Sequence, residues 1–137
     1  MFEIRHTGIV VKDIKKAIKF YKEKLGLEVL EEDLERGRFI STILGNEVEV
    51  KTCKLTQKIE LLEYIKGHGA NHIAFTIDNE KDFEKFNLIS EPQVSPNGRV
   101  KVAFAYDMEN NLIELVYEIF RSGIWDEVIH QISQPVM

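Results

Sequence analysis

IELLEYIKGHGANHIAFTI, running from Ile59 to Ile77, reads as a strand, a Gly-rich loop and a second strand. Side chains alternate between faces along a strand. Ile59 and Leu61 therefore point one way and Glu60 the other. Beyond the loop Ile73, Phe75 and Ile77 share one face, while His72, Ala74 and Thr76 share the opposite one. Each strand thus has one aliphatic face and one face that carries an ionisable side chain. The pattern recurs: His6 opens HTGIVV as His72 opens HIAFTI, and Glu114 sits in LIELVY as Glu60 sits in KIELLEY. A His strand followed by a Glu strand, twice over, is the signature of a duplicated unit with a site shared between its halves.

Outward from this seam, Ile4 to Val11 alternates as a strand, with Ile9 and Val11 on the apolar face and His6, Gly8 and Val10 opposite. Asp13 is placed to cap a helix whose stripe is Ile14, Ala17, Ile18, Tyr21 and Leu25, and Gly26 is placed to end it. Lys12, Lys15, Lys16, Lys19, Lys22 and Lys24 fall mostly on the polar side of that stripe and read as a solvated face. Leu27 to Leu34 is an extended stretch with acidic alternates, as in a strand half open to water. The spacing of Phe39, Ile40, Ile43 and Leu44 predicts a short helix over 36–44, stopped by Gly45. Val48 to Leu55 alternates strictly, and Thr56-Gln57 turns it into the Glu60 strand.

The second half shortens the first. An offset of 66 residues takes His6 to His72, Asp13 to Asn79, Ala17 to Phe83 and Phe20 to Phe86, so cap and helix recur in register and the helix ends near Asn87. SEPQVSPNGR reads as a loop. Val100 to Tyr106 is a strand, DMENN a turn and Leu112 to Tyr117 the last strand. In the tail, Ile124, Trp125, Val128, Ile129 and Ile132 form a helical stripe that suits packing on its own core or on a neighbouring subunit.

Composition narrows the function. The 137 residues suffice for one core without disulfides. With 18 Lys and Arg against 23 Asp and Glu and no basic run, the chain does not look like a nucleic-acid binder. A lone Cys53 fits a reducing compartment, and no positive cluster adjoins it to make it a nucleophile. MFEIRHTG lacks a charged lead into an apolar run, and no apolar segment reaches membrane length, so a cytoplasmic protein without membrane attachment is expected.

The ionisable positions His6, Glu60, His72 and Glu114 sit among Gly8, Val10, Leu62, Tyr64, Ala74, Thr76 and Val116, where a wet face would carry Lys, Glu and Asn. Strands apolar on both faces with one charge each suggest a curved sheet lining a cavity, the charge tolerated because something pairs with it. Two imidazoles and two carboxylates suit a divalent ion such as Zn, Ni, Co, Mn or Fe(II). Six-coordination would leave two positions for substrate oxygens, and Glu60 or Glu114 would be the most economical base for removing a proton beside a carbonyl. His68, His130, Arg5, Arg99 and Lys101 read as surface groups.

HTGIVVKDIKKAIKFYKEKLGLEV, KIELLEY, NHIAFTID and NLIELVY, in that order, resemble the vicinal oxygen chelate superfamily, which includes glyoxalase I, methylmalonyl-CoA epimerase, ring-cleaving dioxygenases and the fosfomycin and bleomycin resistance proteins. The resemblance runs from about Arg5 to Glu118. It implies an α+β fold of paired βαβββ modules forming a curled mixed sheet with helices on the outer face. The modules would span 1–66, including the inserted helix at 36–44, and 67–118, with a helical tail at 119–137. It also implies that His6, Glu60, His72 and Glu114 occupy the family's metal positions. A carboxylate at Glu60 in a short chain resembles the glyoxalase and epimerase branches. The activity implied is a metal-dependent lyase or isomerase acting on a small 2-oxo, 2-hydroxy or thioester compound through an enediolate, in a homodimer. A non-catalytic drug binder or a metal-dependent thiol transferase are the alternatives. DMENN departs from the family's more usual turn before the last strand, which should alter that loop and leave Glu114 in place.

Overall fold

In the computed structural model, which describes residues 2–119, every element of the first half forms where the sequence pattern puts it. β1 spans Glu3–Val10 and α1 spans Ile14–Leu25. The Asp13 carboxylate accepts from the Lys16 N–H at 3.1 Å. Gly26, at φ 70°, ends the helix and donates to the Lys22 carbonyl. β2 (Val29–Arg36) leads into α2 (Arg38–Leu44), which Gly45 ends at φ 77°; β3 (Glu49–Leu55) and β4 (Ile59–Lys66) follow across a tight turn at Thr56–Lys58.

The second half keeps the strands and trims what joins them. β5 spans His72–Ile77. The expected helix is a single 3-10 stretch, Glu80–Lys85, opened by the Asp82 carboxylate accepting from the Asn79 N–H at 3.0 Å. The SEPQVSPNGR loop contains a strand the pattern did not show: β6, only Gln93–Val94, pairs with β7 (Val100–Tyr106). β8 spans Leu112–Glu118. The stripe from Ile124 to Ile132 and His130 lie outside the described residues.

All the strands join one sheet in the order β2-β3-β4-β1-β5-β8-β7-β6. The halves meet where β1 and β5 pair antiparallel, and each half is closed by a parallel pair, β1 with β4 and β5 with β8. Register assigns the faces. Gly8 lies opposite both Glu60 and His72, His6 opposite Ala74, and Ala74 opposite Glu114. A bulge at Arg5 puts Ile4 and His6, two residues apart, on opposite faces.

On the convex face α1 packs through Ile14, Ala17, Ile18 and Tyr21 onto Cys53, Leu55 and Leu61, and the 3-10 stretch packs Phe83 and Phe86 onto Ile77, Ala103 and Leu115. The concave face has its own core. Ile43 of α2, 1% exposed, is buried among Val102, Phe104, Leu112 and Val116, flanked by Phe39, Ile40 and Leu44. Leu112 and Phe104 pair with His72 and Glu114 respectively, so α2 lies inside the cup, over the second half's strands. The outer face carries α1 and the 3-10 stretch.

Candidate metal centre

The site is set by the four central strands. β1 supplies His6, β4 Glu60, β5 His72 and β8 Glu114, all on the concave face. Their donor atoms converge. His6 Nε2 lies 3.2 Å from His72 Nε2, 3.2 Å from Glu60 Oε1 and 3.3 Å from Glu114 Oε1, and His72 Nε2 lies 3.2 Å from Glu114 Oε1. The side chains are buried, from 4% exposed for His72 to 17% for His6.

Two neighbours seat His72. Its Nδ1 lies 3.2 Å from the Ala70 carbonyl. A carbonyl only accepts, so this bond puts a proton on Nδ1 and turns the Nε2 lone pair towards the cluster. Against the ring stands the Gly8 backbone, where a Cβ would fall 2.7 Å from Nδ1 and overlap the ring carbon beside it. Only glycine gives the ring this seat. Behind it, the Phe104 ring meets His72 edge-on at 5.4 Å between centroids.

Charge tells the same story. Burial pushes Glu114 up, but hydrogen bonds from His6 and His72 and their charges outweigh it and hold the carboxyl at about 2. Burial pulls His72 down, and the hydrogen bond and charge of Glu114 more than compensate, leaving the imidazole raised. Glu60 is raised by burial, with the His6 charge working against the shift. A cluster of two imidazole and two carboxylate groups this close needs a cation among its lone pairs, a proton if nothing else. The spacing fits a metal: donors about 2.0–2.2 Å from one ion stand about 3 Å apart at right angles and about 3.4 Å apart at tetrahedral angles. His6, Glu60 and His72 alone form a group that can hold an ion, and Glu114 Oε1 reaches both imidazoles.

The concave face holds a further acid that the pattern of the chain hides. Glu35 on β2 pairs with Val50, which pairs with Tyr64 on β4, so all three share the face of Glu60. Burial raises the Glu35 carboxyl to about 7, with the charges of Glu60 and Glu114 adding to the shift. Tyr64 is pushed up to about 12 by burial and by the same carboxylates. In the sequence Glu35 continues the run Glu31, Asp33 and reads as one more water-facing acid; the register keeps all three on one face, and burial sets Glu35 apart from the other two, which are exposed. Among the other candidates, His68 is exposed and its backbone N–H donates to Asn46 at 3.0 Å, Lys101 pairs with Glu80, and Arg5 donates to the hydroxyl of Thr76, on the His72 face of β5. Cys53 is buried under α1 on the convex side, and burial raises its thiol. No helix among the described residues is long and apolar enough to cross a membrane.

Known proteins are similar to this chain in sequence and in fold. The chain is 30% identical over 120 residues to a probable lactoylglutathione lyase of Synechocystis sp., a match covering 81% of this chain and 92% of that one. It is 29% identical to the lactoylglutathione lyase of Schizosaccharomyces pombe, and there it spans only 47% of the relative's length. Its fold is similar to that of methylmalonyl-CoA epimerase from Mycobacterium tuberculosis, with a TM-score of 0.59 at 17% identity over 84% of this chain and 87% of that one. Residues 3–115 match the family model as well, and the chain therefore belongs to the Glyoxalase/Bleomycin resistance protein/Dioxygenase superfamily.

Proposed function

We propose that the protein is a metal-dependent lyase or isomerase of the glyoxalase and epimerase type, with His6, Glu60, His72 and Glu114 as the metal ligands. The observation that carries this reading is that His6 Nε2 lies 3.2–3.3 Å from His72 Nε2, Glu60 Oε1 and Glu114 Oε1, and His72 Nε2 3.2 Å from the same Glu114 oxygen, on a largely buried face. Relatives named lactoylglutathione lyase and a structural neighbour named methylmalonyl-CoA epimerase support the class, and both names contain the thioester of a small acid. His6, Glu60, His72 and Glu114 would hold a divalent ion there, and bound it would supply polarisation of a substrate carbonyl and stabilisation of negative charge on its oxygen.

The chain's own groups do the rest. His72, fixed by Ala70, Gly8 and Phe104, and Glu114, held ionised, define one side of the reaction space. Burial raises both Glu35 and Glu60, and Glu35, at about 7, is the acid placed to exchange protons near neutral pH. Glu35 is the second proton carrier in this reading: it faces the same cup without being needed as a ligand. Phe104, Leu112 and the apolar side of α2 close the wall behind His72 and keep water from that side.

The test begins with protein purified without added ions. A bound divalent ion, or a rise in melting temperature on adding Zn, Ni, Co or Mn, is expected. Loaded protein is then assayed for lactoylglutathione lyase and methylmalonyl-CoA epimerase activity, and Glu35→Gln is expected to lower turnover while leaving ion binding intact. Protein that neither carries an ion nor gains thermal stability from one removes the basis of the proposal.

A further inference from the structure

The loop that joins the two halves, residues 67–71, has no helix or strand of its own, and His68, Ala70 and Asn71 are exposed. A short exposed stretch with two glycines opens easily unless side chains tie it down. Its position matters, because the Ala70 carbonyl is the acceptor for His72 Nδ1.

Two asparagines tie this loop. Asn46, just past the Gly45 stop of α2, meets His68 as a neighbouring strand would: its Oδ1 accepts from the His68 backbone N–H at 3.0 Å, and its Nδ2 donates to the His68 carbonyl at 3.1 Å. Nδ2 also donates to the Leu44 carbonyl at 3.4 Å, an acceptor that the last turn of α2 leaves without a helical partner. An amide has one accepting and one donating end, and this set of partners uses both. Beyond Ala70, the Asn71 Oδ1 accepts from the Val10 N–H at 2.7 Å. The carbonyl that seats His72 is thus slung between two amide anchors. The loop backbone also fits closely: a Cβ on Gly67, at φ 73°, would overlap the Glu47 carbonyl, and one on Gly69 would overlap the Tyr64 hydroxyl.

We propose that Asn46 is a positioning residue for His72. It acts through the backbone from His68 to Ala70: the clamp keeps the Ala70 carbonyl at Nδ1, and the Nε2 lone pair then stays aimed at the cluster. α2 belongs to the first half and His72 to the second, so the clamp makes an element of one half hold a donor of the other. The inference rests on His72 being a ligand of the ion proposed above.

Nuclear magnetic resonance of the His72 ring reads the clamp directly. In unaltered, ion-free protein the Nδ1 proton is expected to exchange slowly with water. Asn46→Ala is expected to speed that exchange about tenfold, because the loop opens without breaking the clamp. In titration calorimetry the same variant is expected to bind zinc about tenfold more weakly, the lower end of what an orienting neighbour contributes. Asn46→Asp keeps the acceptor for the His68 N–H, loses both donors and is expected to fall between. Asp13→Ala, which removes the α1 cap, is the control for stability and is expected to change neither. Unchanged exchange at His72 in Asn46→Ala overturns the proposal, and so does faster exchange with zinc affinity intact. A loss that Asp13→Ala reproduces also overturns it, since Asn46 then serves only general stability. Unaltered protein that binds no zinc sinks the metal centre, and the exchange comparison in ion-free protein then decides alone whether Asn46 seats His72.

Discussion

The two halves carry the same four-strand motif and differ in everything that joins the strands. The first has a twelve-residue α1 outside and a seven-residue α2 inside; the second has six residues of 3-10 helix and a strand of two. Yet the His and Glu of each half meet at one point. The reason lies in the sheet order: all four donors sit on β4, β1, β5 and β8, the central strands, whose pairing leaves the connections free to vary at the flanks. Position at the centre of a ladder is set by register, and a one-residue slip would turn a donor to the wrong face.

If the site belongs to both halves equally, removing a donor from either should have the same large effect. Glu60→Gln in the first half and Glu114→Gln in the second are each expected to weaken ion binding by more than about 100-fold, above what an orienting neighbour alone contributes. Titration calorimetry reads this. A large loss from one and none from the other would break the symmetry on which the site rests.

The inner core belongs to the second half but is filled by the first half's α2. Ile43→Ala is expected to destabilise the protein by about 2–4 kcal/mol in urea unfolding, as for a fully buried aliphatic side chain. A change below 1 kcal/mol, on the order of a surface substitution, would mean that α2 is not the wall behind His72.

A subtler asymmetry lies in the acids. In ion-free protein Glu35 has its carboxyl near 7 against an ordinary 4.5, so between those values the folded state holds more protons than the unfolded one and stability falls as pH rises. Glu114 runs the other way: lowered to about 2, its contribution is full above 4.5 and is lost as pH falls towards 2. Glu35→Gln is therefore expected to flatten the decline in urea midpoint from pH 5 to 7 and to leave the acid limb unchanged. The smallest effect expected is at the cap of α1: Asp13→Ala should cost about 1 kcal/mol of stability without touching ion affinity.

Much of this architecture was legible in the chain itself. The period-two strands, the Asp13 cap, the stop at Gly45 and the four ionisable positions on one face are local patterns, and local patterns survive folding when the core agrees with them. What stayed hidden depends on register or on length. Glu35 shares a face with its exposed neighbours Glu31 and Asp33, and only the burial it meets beside Val50 and Tyr64 sets it apart. A six-residue segment is too short for its spacing to separate a 3-10 from an α-helix, and Gln93–Val94 is too short to show alternation at all. The apolar stripe of α2 foretold a helix but not the face it would cover, and Ile73 reads as core although no described element covers it.

The central claim is that imidazoles from separate halves bind one ion, and X-ray absorption at the metal edge of the nickel- or zinc-loaded protein tests it most directly. Two imidazole ligands are expected in the unaltered protein, and one in both His6→Ala and His72→Ala. Two imidazoles persisting in either variant, or an unaltered protein whose ion sees only one, would contradict it.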